Sequence, residues 1–322
     1  MSALAAAAER LGVELRRNEP LARHTTFRIG GPADWYAVAT TTAQLAALAD
    51  AGLTDGLPVT VLGGGSNILV ADAGIRELVI VNQTRNYGVQ EDNPHCLVAD
   101  SGVLLAGLAR WAIRNGLSGL EWAVSVPGTV GGAVIGNAGA HGSDIAANLA
   151  WAEVHYPGQG TEQLTCEALA YTYRSSLLKR QLAEGDAAHA AAPVVLSAAF
   201  NLAAGDTAEM TARADGYLAR RRASQPVEPS AGSIFRNPPG DYAGRLVESV
   251  GLKGQVIGGA QISPRHANFV INTGSATAAD VVALMNLMRR RVYEASGHEL
   301  VPEILFLGAW ASQPPLEPLC KL

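Results

Sequence analysis

Two glycine runs are the residues of this 322-residue chain whose types and spacing first suggest chemistry. One is Gly63-Gly64-Gly65-Ser66-Asn67. The other lies within Pro127 to Gly142, where six of sixteen residues are glycine and no Asp, Glu, Lys or Arg occurs. Successive backbone N–H groups in such runs can converge on one anion, and glycine lets a large ligand approach the main chain. The familiar phosphate loops are absent. No GxxxxGK[ST] sequence occurs, and the first run breaks a GxGxxG pattern at Ile68, ahead of a strand-like segment. Gly63 to Asn67 could form one nest, and Gly128 to Gly132 and Gly136 to Gly139 others. Separate nests would suit a dinucleotide. Tight turns in a compact sheet would explain the same glycines, and the residues alone leave both readings open.

The elements that must position these runs belong to a folded chain. Hydrophobic residues make up 48% and charged residues 16%, a globular balance, and the length calls for two or three domains. A formal net charge of −5 argues against a nucleic-acid partner bound through the whole surface. Cys96, Cys166 and Cys320 share no CxxC spacing and are odd in number, so free thiols are expected, and no metal site. The N-terminus lacks a basic start and an apolar run and reads as a short helix, not a leader. No apolar run is long enough to span a membrane. A cytoplasmic protein is expected.

"VTVL" and "NILV" read as strands around Gly63–Gly65, with further strands at "ELVIVNQ", 150–156 and 193–202. Helices are expected at 42–50, from Leu104 to a stop at Gly116, at 206–223, and at 242–250 with a stop at Gly251. Thr277 and Asp280 form a capping box ahead of a helix with Val281, Met285, Met288 and Val292 on its apolar face and Gly297 at its end. That stripe reads as core, and Arg220–Arg222 and Arg289–Arg291 read as solvated helix ends. "SQPPLEPLCKL" reads as a loose tail.

"VLGGGSNILVAD", "VPGTVGGAVIGNAGAHG", "YRSSLLK", "PSAGSIFRNP" and "LVPEILFLG" stand in the order and spacing of UDP-N-acetylenolpyruvoylglucosamine reductases. The chain resembles that family from about Pro20 to Gly308, and its "PSAGS" form resembles the shorter of two subtypes. The resemblance implies an α+β fold. An FAD-binding domain of the vanillyl-alcohol-oxidase/PCMH type would be followed by a smaller α/β substrate-binding domain. The expected division is an N-terminal helix at 1–19, the FAD domain at 20–204, the substrate domain at 205–310 and a tail at 311–322.

The resemblance also implies the chemistry. NADPH would pass hydride to non-covalent FAD, and reduced flavin would reduce enolpyruvyl UDP-N-acetylglucosamine to UDP-N-acetylmuramate, a peptidoglycan precursor. Small molecules would be the partners, with no nucleic acid or membrane insertion, and the chain would act as a monomer. Gly63, Gly64, Gly65, Ser66, Asn67, Pro127, Gly128, Thr129, Gly131, Gly132, Gly136, Asn137, Ala138 and Gly139 would lie against FAD, so that side chains at the glycines would take cofactor space. Arg174 would hold the substrate carboxylate, as a guanidinium fork matches a carboxylate. Ser233 would protonate the carbanion, and Glu303 would polarise the enolate. Tyr173, Arg236, Asn237 and Gln261 would touch substrate. His141 stands where the family often has Tyr and is assigned a packing role. An oxygen-using flavin oxidase would need the glycines but not Arg174, Ser233 and Glu303 together. A module that had lost catalysis would have lost at least one of the three.

Overall fold

The Thr277–Asp280 capping box forms as read, with each side chain receiving the other's backbone N–H, and the helix it starts is the longest among the described residues. The structure is a computed structural model describing residues 2–184, 192–311 and 315–319. The helices are α1 (Ala3–Leu11), α2 (Thr42–Thr54), α3 (Leu105–Arg114), α4 (Val130–Gly136), α5 (Leu177–Glu184), α6 (Thr207–Ser224), α7 (Ala243–Ser249) and α8 (Ala278–Ser296). The strands up to the end of α4 are β1 (Arg16–Pro20), β2 (Pro32–Ala39), β3 (Val59–Leu62), β4 (Ile68–Val70), β5 (Ile75–Asn82), β6 (Tyr87–Val89), β7 (Cys96–Asp100) and β8 (Leu117–Ser118). After it come β9 (Gly139–Ala140), β10 (Ser143–Asp144), β11 (Leu149–Tyr156), β12 (Gly160–Thr165), β13 (Val194–Asn201) and β14 (Ala203–Ala204). The last strands are β15 (Ser230–Ser233), β16 (Val256–Ile257), β17 (Ala260–Ile262), β18 (Phe269–Asn272) and β19 (Leu305–Leu307).

These elements form two compact units, and neither is continuous in sequence. Unit 1 comprises residues 1–17, 35–64 and 77–220; unit 2 comprises 18–34, 65–76 and 221–322. The expected boundaries at 20 and 205 are sequential instead. The difference arises because β4 of segment 65–76 pairs with β19 in parallel register, while segment 18–34 packs Phe27 and Ile29 into the C-terminal core and is hydrogen-bonded there through Thr26 to Ser230 and Asn272 to Phe27.

Unit 1 contains the sheet β12-β11-β13-β7-β6, whose inner face packs with α3 into an apolar core including Leu97, Leu108, Val130, Val154 and Phe200. Parallel pairing of β3 with β5 belongs to a second sheet of order β1-β2-β5-β3. Unit 2 holds the sheet β15-β18-β17-β16, with Val281, Met285, Met288 and Val292 of α8 buried in its core. The apolar stripe is therefore core.

Two expectations are corrected. Arg289 is no solvated helix end: it is 8% exposed, and it donates through Nε to the Leu300 carbonyl and through Nη1 to that of Glu317. The described part of the tail is docked rather than loose, because Asn286 Oδ1 also accepts the Glu317 N–H and Leu316 packs on the core of unit 2. Among the described residues no helix is long and apolar enough to cross a membrane, and no group of three His, Cys, Asp or Glu could hold a metal. Cys96 and Cys166 are free thiols; Cys320 lies outside the described residues.

Candidate active site

In unit 1 the two glycine runs meet. A Cβ on Gly64 would lie 3.1 Å from the Gly128 Cα, and one on Gly63 would collide with Thr129 Oγ1. One on Gly131 would stand 2.9 Å from the Ser101 Cβ, and one on Gly139 2.7 Å from the Asp144 Cβ. In unit 2, Gly65 has a φ of +58° and a Cβ there would strike the His24 carbonyl. These five glycines are required by the protein's own packing. Gly132 and Gly136 differ: the nearest atom to an added Cβ is 3.9 Å away at Gly132, and none lies within 4 Å at Gly136. Gly132 and Gly136 thus leave open space beside the main chain, as glycines that admit a ligand would.

The second run is also not a bare nest. Residues 130–136 form α4, a seven-residue helix. Gly131 N–H donates to the Ser101 carbonyl and Val130 N–H to that of Val103, which fixes the start of the helix against the strand-to-α3 turn. Asn137 ends it in the left-handed region with φ 44°. Ser66 and Ala138 flank these turns, Ala138 bonding its N–H back to the Ala133 carbonyl.

Arg174 is placed by the same helix. Thr172 and Ser175 exchange both backbone hydrogen bonds, at 3.0 and 3.1 Å, so Tyr173 and Arg174 form the tip of a tight turn. Arg174 has φ 56°, and Lys179 Nζ holds its carbonyl at 3.0 Å. The turn is fastened to the end of α4. The Tyr171 hydroxyl donates to the Val134 carbonyl, Ser176 Oγ to that of Ile135, and Asn137 Nδ2 to that of Thr172. Asn137 uses its remaining side-chain capacity on Asp144 and the Ala146 N–H. Burial pushes the Tyr171 phenol pKa up, with Cys166 and Asp144 adding to it, so the hydroxyl stays a donor. The Arg174 guanidinium lies 5.6 Å from the centre of the exposed Tyr173 ring.

In unit 2, Ser233 ends β15 opposite Phe269, and the chain then pairs with 301–303. Glu303 N–H donates to the Ile234 carbonyl at 2.8 Å, and Arg236 N–H to that of Val301 at 2.9 Å. Ser233 and Glu303 are thus one residue apart in register. Buried Asn268 locks this arrangement, receiving the Phe235 N–H on Oδ1 and donating Nδ2 to the Phe235 carbonyl. Asn67 joins the same cluster through its amide, which reaches the Glu303 carbonyl at 3.2 Å. The Arg236 Nε is buried and has no hydrogen-bond acceptor among the described residues. Asn237 Oδ1 accepts the Ala243 N–H at the start of α7, and Gln261 Nε2 donates to the Gly254 carbonyl.

Sequence reasoning missed Asn268, Thr26 and Asp72. Thr26 bonds both the Gly65 and Ser230 carbonyls, and Asp72 caps α8 by accepting the Ala278 and Ala279 N–H groups. Asp72 closes the quoted "LVAD" motif, and that was the signal available. His141 stacks on Tyr217 with ring centres 4.2 Å apart and meets Ser125 Oγ at 3.0 Å.

Residues 33–164 match the model of an FAD-binding domain, and residues 225–307 that of the C-terminal domain of UDP-N-acetylenolpyruvoylglucosamine reductase. A UDP-N-acetylenolpyruvoylglucosamine reductase of Synechococcus sp. (strain RCC307) is 44% identical over 93% of this chain and 96% of its own. The chain belongs to the UDP-N-acetylenolpyruvoylglucosamine reductase family. Another relative of that name, from Heliobacterium modesticaldum, is 43% identical over 91% of this chain and 90% of its own. The crystal structure of the Thermus caldophilus reductase (MurB) superposes with a TM-score of 0.75, at 34% identity, covering 92% of this chain and 98% of that one.

As a member of the family, the chain is an FAD-binding oxidoreductase of peptidoglycan precursor synthesis with an α+β fold. The residues fit that cofactor. Outside the β-ladder, the backbone N–H groups of Gly63, Gly64, Gly65, Ser66 and Asn67 donate to no protein acceptor among the described residues. Such a row of free donors suits an anionic diphosphate. The open faces of Gly132 and Gly136 leave room beside the main chain.

Proposed function

We propose that this chain uses NADPH to reduce enolpyruvyl UDP-N-acetylglucosamine to UDP-N-acetylmuramate through non-covalently held FAD, as a monomer in the cytoplasm. The observation that supports the reading is the hydrogen bond from the Glu303 N–H to the Ile234 carbonyl, which joins the segment carrying Glu303 to the one carrying Ser233 within unit 2.

When bound, FAD supplies hydride transfer between the nicotinamide and the terminal carbon of the enolpyruvyl group. The chain's own residues handle the charge that follows. Arg174 would hold the substrate carboxylate in a two-pronged hydrogen bond, which stabilises the negative charge building on it. Ser233 would give its hydroxyl proton to the carbon next to the carboxylate and regain one from solvent. Glu303, whose N–H and carbonyl are both hydrogen-bonded, would stand beside the carboxylate and help polarise the enolate. Tyr173, Arg236, Asn237 and Gln261 would bear on the sugar nucleotide.

The test is the visible spectrum of the purified protein without oxygen, with NADPH and then the enolpyruvyl sugar nucleotide added. Bleaching followed by return of colour is expected. A flavin that bleaches but is not restored would leave the family standing and remove this substrate. A protein that binds no added FAD would overturn the reading.

A further inference from the structure

Two residues in the segment that carries Arg174 have left-handed backbone although neither is glycine: Ala170 at φ 44° and Arg174 at φ 56°. Such a conformation is unfavourable for a residue with a Cβ and persists only where its surroundings hold it. Both are held from the same place. Lys179 Nζ donates to the Arg174 carbonyl at 3.0 Å, and both terminal guanidinium nitrogens of Arg180 donate to the Ala170 carbonyl at 3.3 Å. All these residues lie within unit 1.

The two cations occupy the first turn of α5, an unfavourable place for positive charge. Ser176 caps that helix, its Oγ accepting the Lys179 N–H and its carbonyl the Arg180 N–H. The positive end of the helix dipole lies there, and the turn has no acidic residue to offset the pair. The anchorage of the helix lies elsewhere. Leu178 is buried in the core of unit 1, and the Leu177 N–H reaches the Leu169 carbonyl at 2.7 Å. What the Lys179 ammonium supplies is a charge-assisted hydrogen bond to the main chain of the residue proposed to grip substrate.

The consequence is directional. Bonds to α4 hold the turn at Tyr171, Thr172 and Ser176, on either side of its tip. At the tip, the Lys179 ammonium reaches Arg174 itself. The φ of a residue fixes the direction in which its Cα–Cβ bond leaves the chain, so a turn that relaxes at Arg174 re-aims the guanidinium. We infer that Lys179 is a positioning residue: by holding the Arg174 carbonyl it keeps that residue left-handed and its guanidinium aimed at the substrate carboxylate. The inference rests on the carboxylate-binding role proposed for Arg174.

The test is a double-mutant cycle between Lys179→Met and Arg174→Ala. It is read by anaerobic stopped-flow absorbance, with NADPH and then with enolpyruvyl UDP-N-acetylglucosamine. Lys179→Met keeps the aliphatic stem and removes the ammonium. Flavin reduction by NADPH should match the parent. The second-order rate constant of reoxidation by the sugar nucleotide should fall by about tenfold, the scale of a slightly misdirected binding group. Lys179→Arg, which restores a cationic donor, should recover most of the loss. In the Arg174→Ala background, Lys179→Met should change that constant by less than about twofold, because no guanidinium is left to aim.

An equal further loss in that background would overturn the inference, since a residue that only supports the fold acts whether or not the guanidinium is present. Parental reoxidation by Lys179→Met alongside slow reoxidation by Arg174→Ala would overturn it too, and leave the role of Arg174 standing. Parental reoxidation by Arg174→Ala would sink that role and the inference together. Should Lys179→Met not fold, Lys179→Gln, shorter and uncharged, replaces it in the cycle and is read against the same outcomes.

Discussion

The side-chain amide of Asn67 donates to the main-chain carbonyl of Glu303 at 3.2 Å, and the Leu305 N–H returns to the Asn67 carbonyl at 3.0 Å. A residue of the first glycine run therefore holds the backbone of the proposed acidic group across 236 positions of sequence, and the strand after that group holds the Asn67 carbonyl in return. Asn67→Ala removes the amide donor and leaves the carbonyl to be satisfied elsewhere. A loss of about 1 kcal/mol in stability is expected. Turnover should fall several-fold more than the KM for the sugar nucleotide rises. Thermal denaturation and steady-state kinetics measure the two effects.

Ser233→Ala separates the two halves of the reaction. Reduction of the flavin by NADPH should be unaffected, because the hydroxyl has no part in it. Reoxidation by the enolpyruvyl sugar nucleotide should slow by roughly 10²–10⁴-fold, the usual worth of a positioned proton donor. Anaerobic stopped-flow absorbance follows each half alone. Normal turnover would reduce Ser233 to a strand-end residue.

Gly131 and Gly132 are neighbours with opposite expectations. Gly131→Ala would press a methyl 2.9 Å from the Ser101 Cβ, costing about 1–3 kcal/mol. Gly132→Ala meets nothing closer than 3.9 Å and lies inside α4, where alanine is favoured by roughly 0.5–1 kcal/mol. The FAD-free Gly132→Ala protein should melt higher than the parent, yet bind FAD more weakly because the new methyl occupies the open face. Calorimetry without FAD and a fluorescence titration with it test the pair.

Glu121 gives a pH signature. Burial raises its pKa, but a backbone N–H, the Ser118 hydroxyl, the Gly119 N–H and Arg213 together outweigh burial, leaving it below the ordinary 4.5. The unfolded carboxylate then takes up a proton first as pH falls. The stabilisation is fully present above the unfolded value and is lost through more acid pH. Glu121→Gln should flatten the fall in stability between about pH 5 and pH 3. Urea unfolding at several pH values would show the slope, and an unchanged slope would exclude Glu121 as its source.

Much of this was legible locally. The Thr277–Asp280 box, the α8 stripe and the stops at Gly251 and Gly297 depend on a few adjacent residues, and all formed. Helix α4 did not announce itself, because its glycines argue against helix; it exists through bonds to Ser101 and Val103 made by tertiary packing. Strands β6, β7 and β12 were passed over for a related reason. β12 is almost wholly exposed, and β7 is short and takes its place by pairing with β13 and β6. The candidate site divides in the same way. Motifs singled out Arg174, Ser233 and Glu303 as candidates, but Asn137 and Asn268, which fix the backbone of the segments carrying Arg174 and Ser233, act across more than thirty positions of chain. Nothing in local spacing reveals which carbonyl an asparagine will reach.

The parallel pairing of β4 with β19 has a consequence for synthesis. Chain growth delivers Val70 more than 230 residues before Leu305. At roughly 5–20 residues per second, the buried apolar strand Ile68–Val70 waits on the order of ten seconds or more without its partner. During that interval its edge is open to any other extended segment. A nascent or truncated chain ending before Leu305 therefore leaves this apolar edge open to aggregation until the last strand emerges.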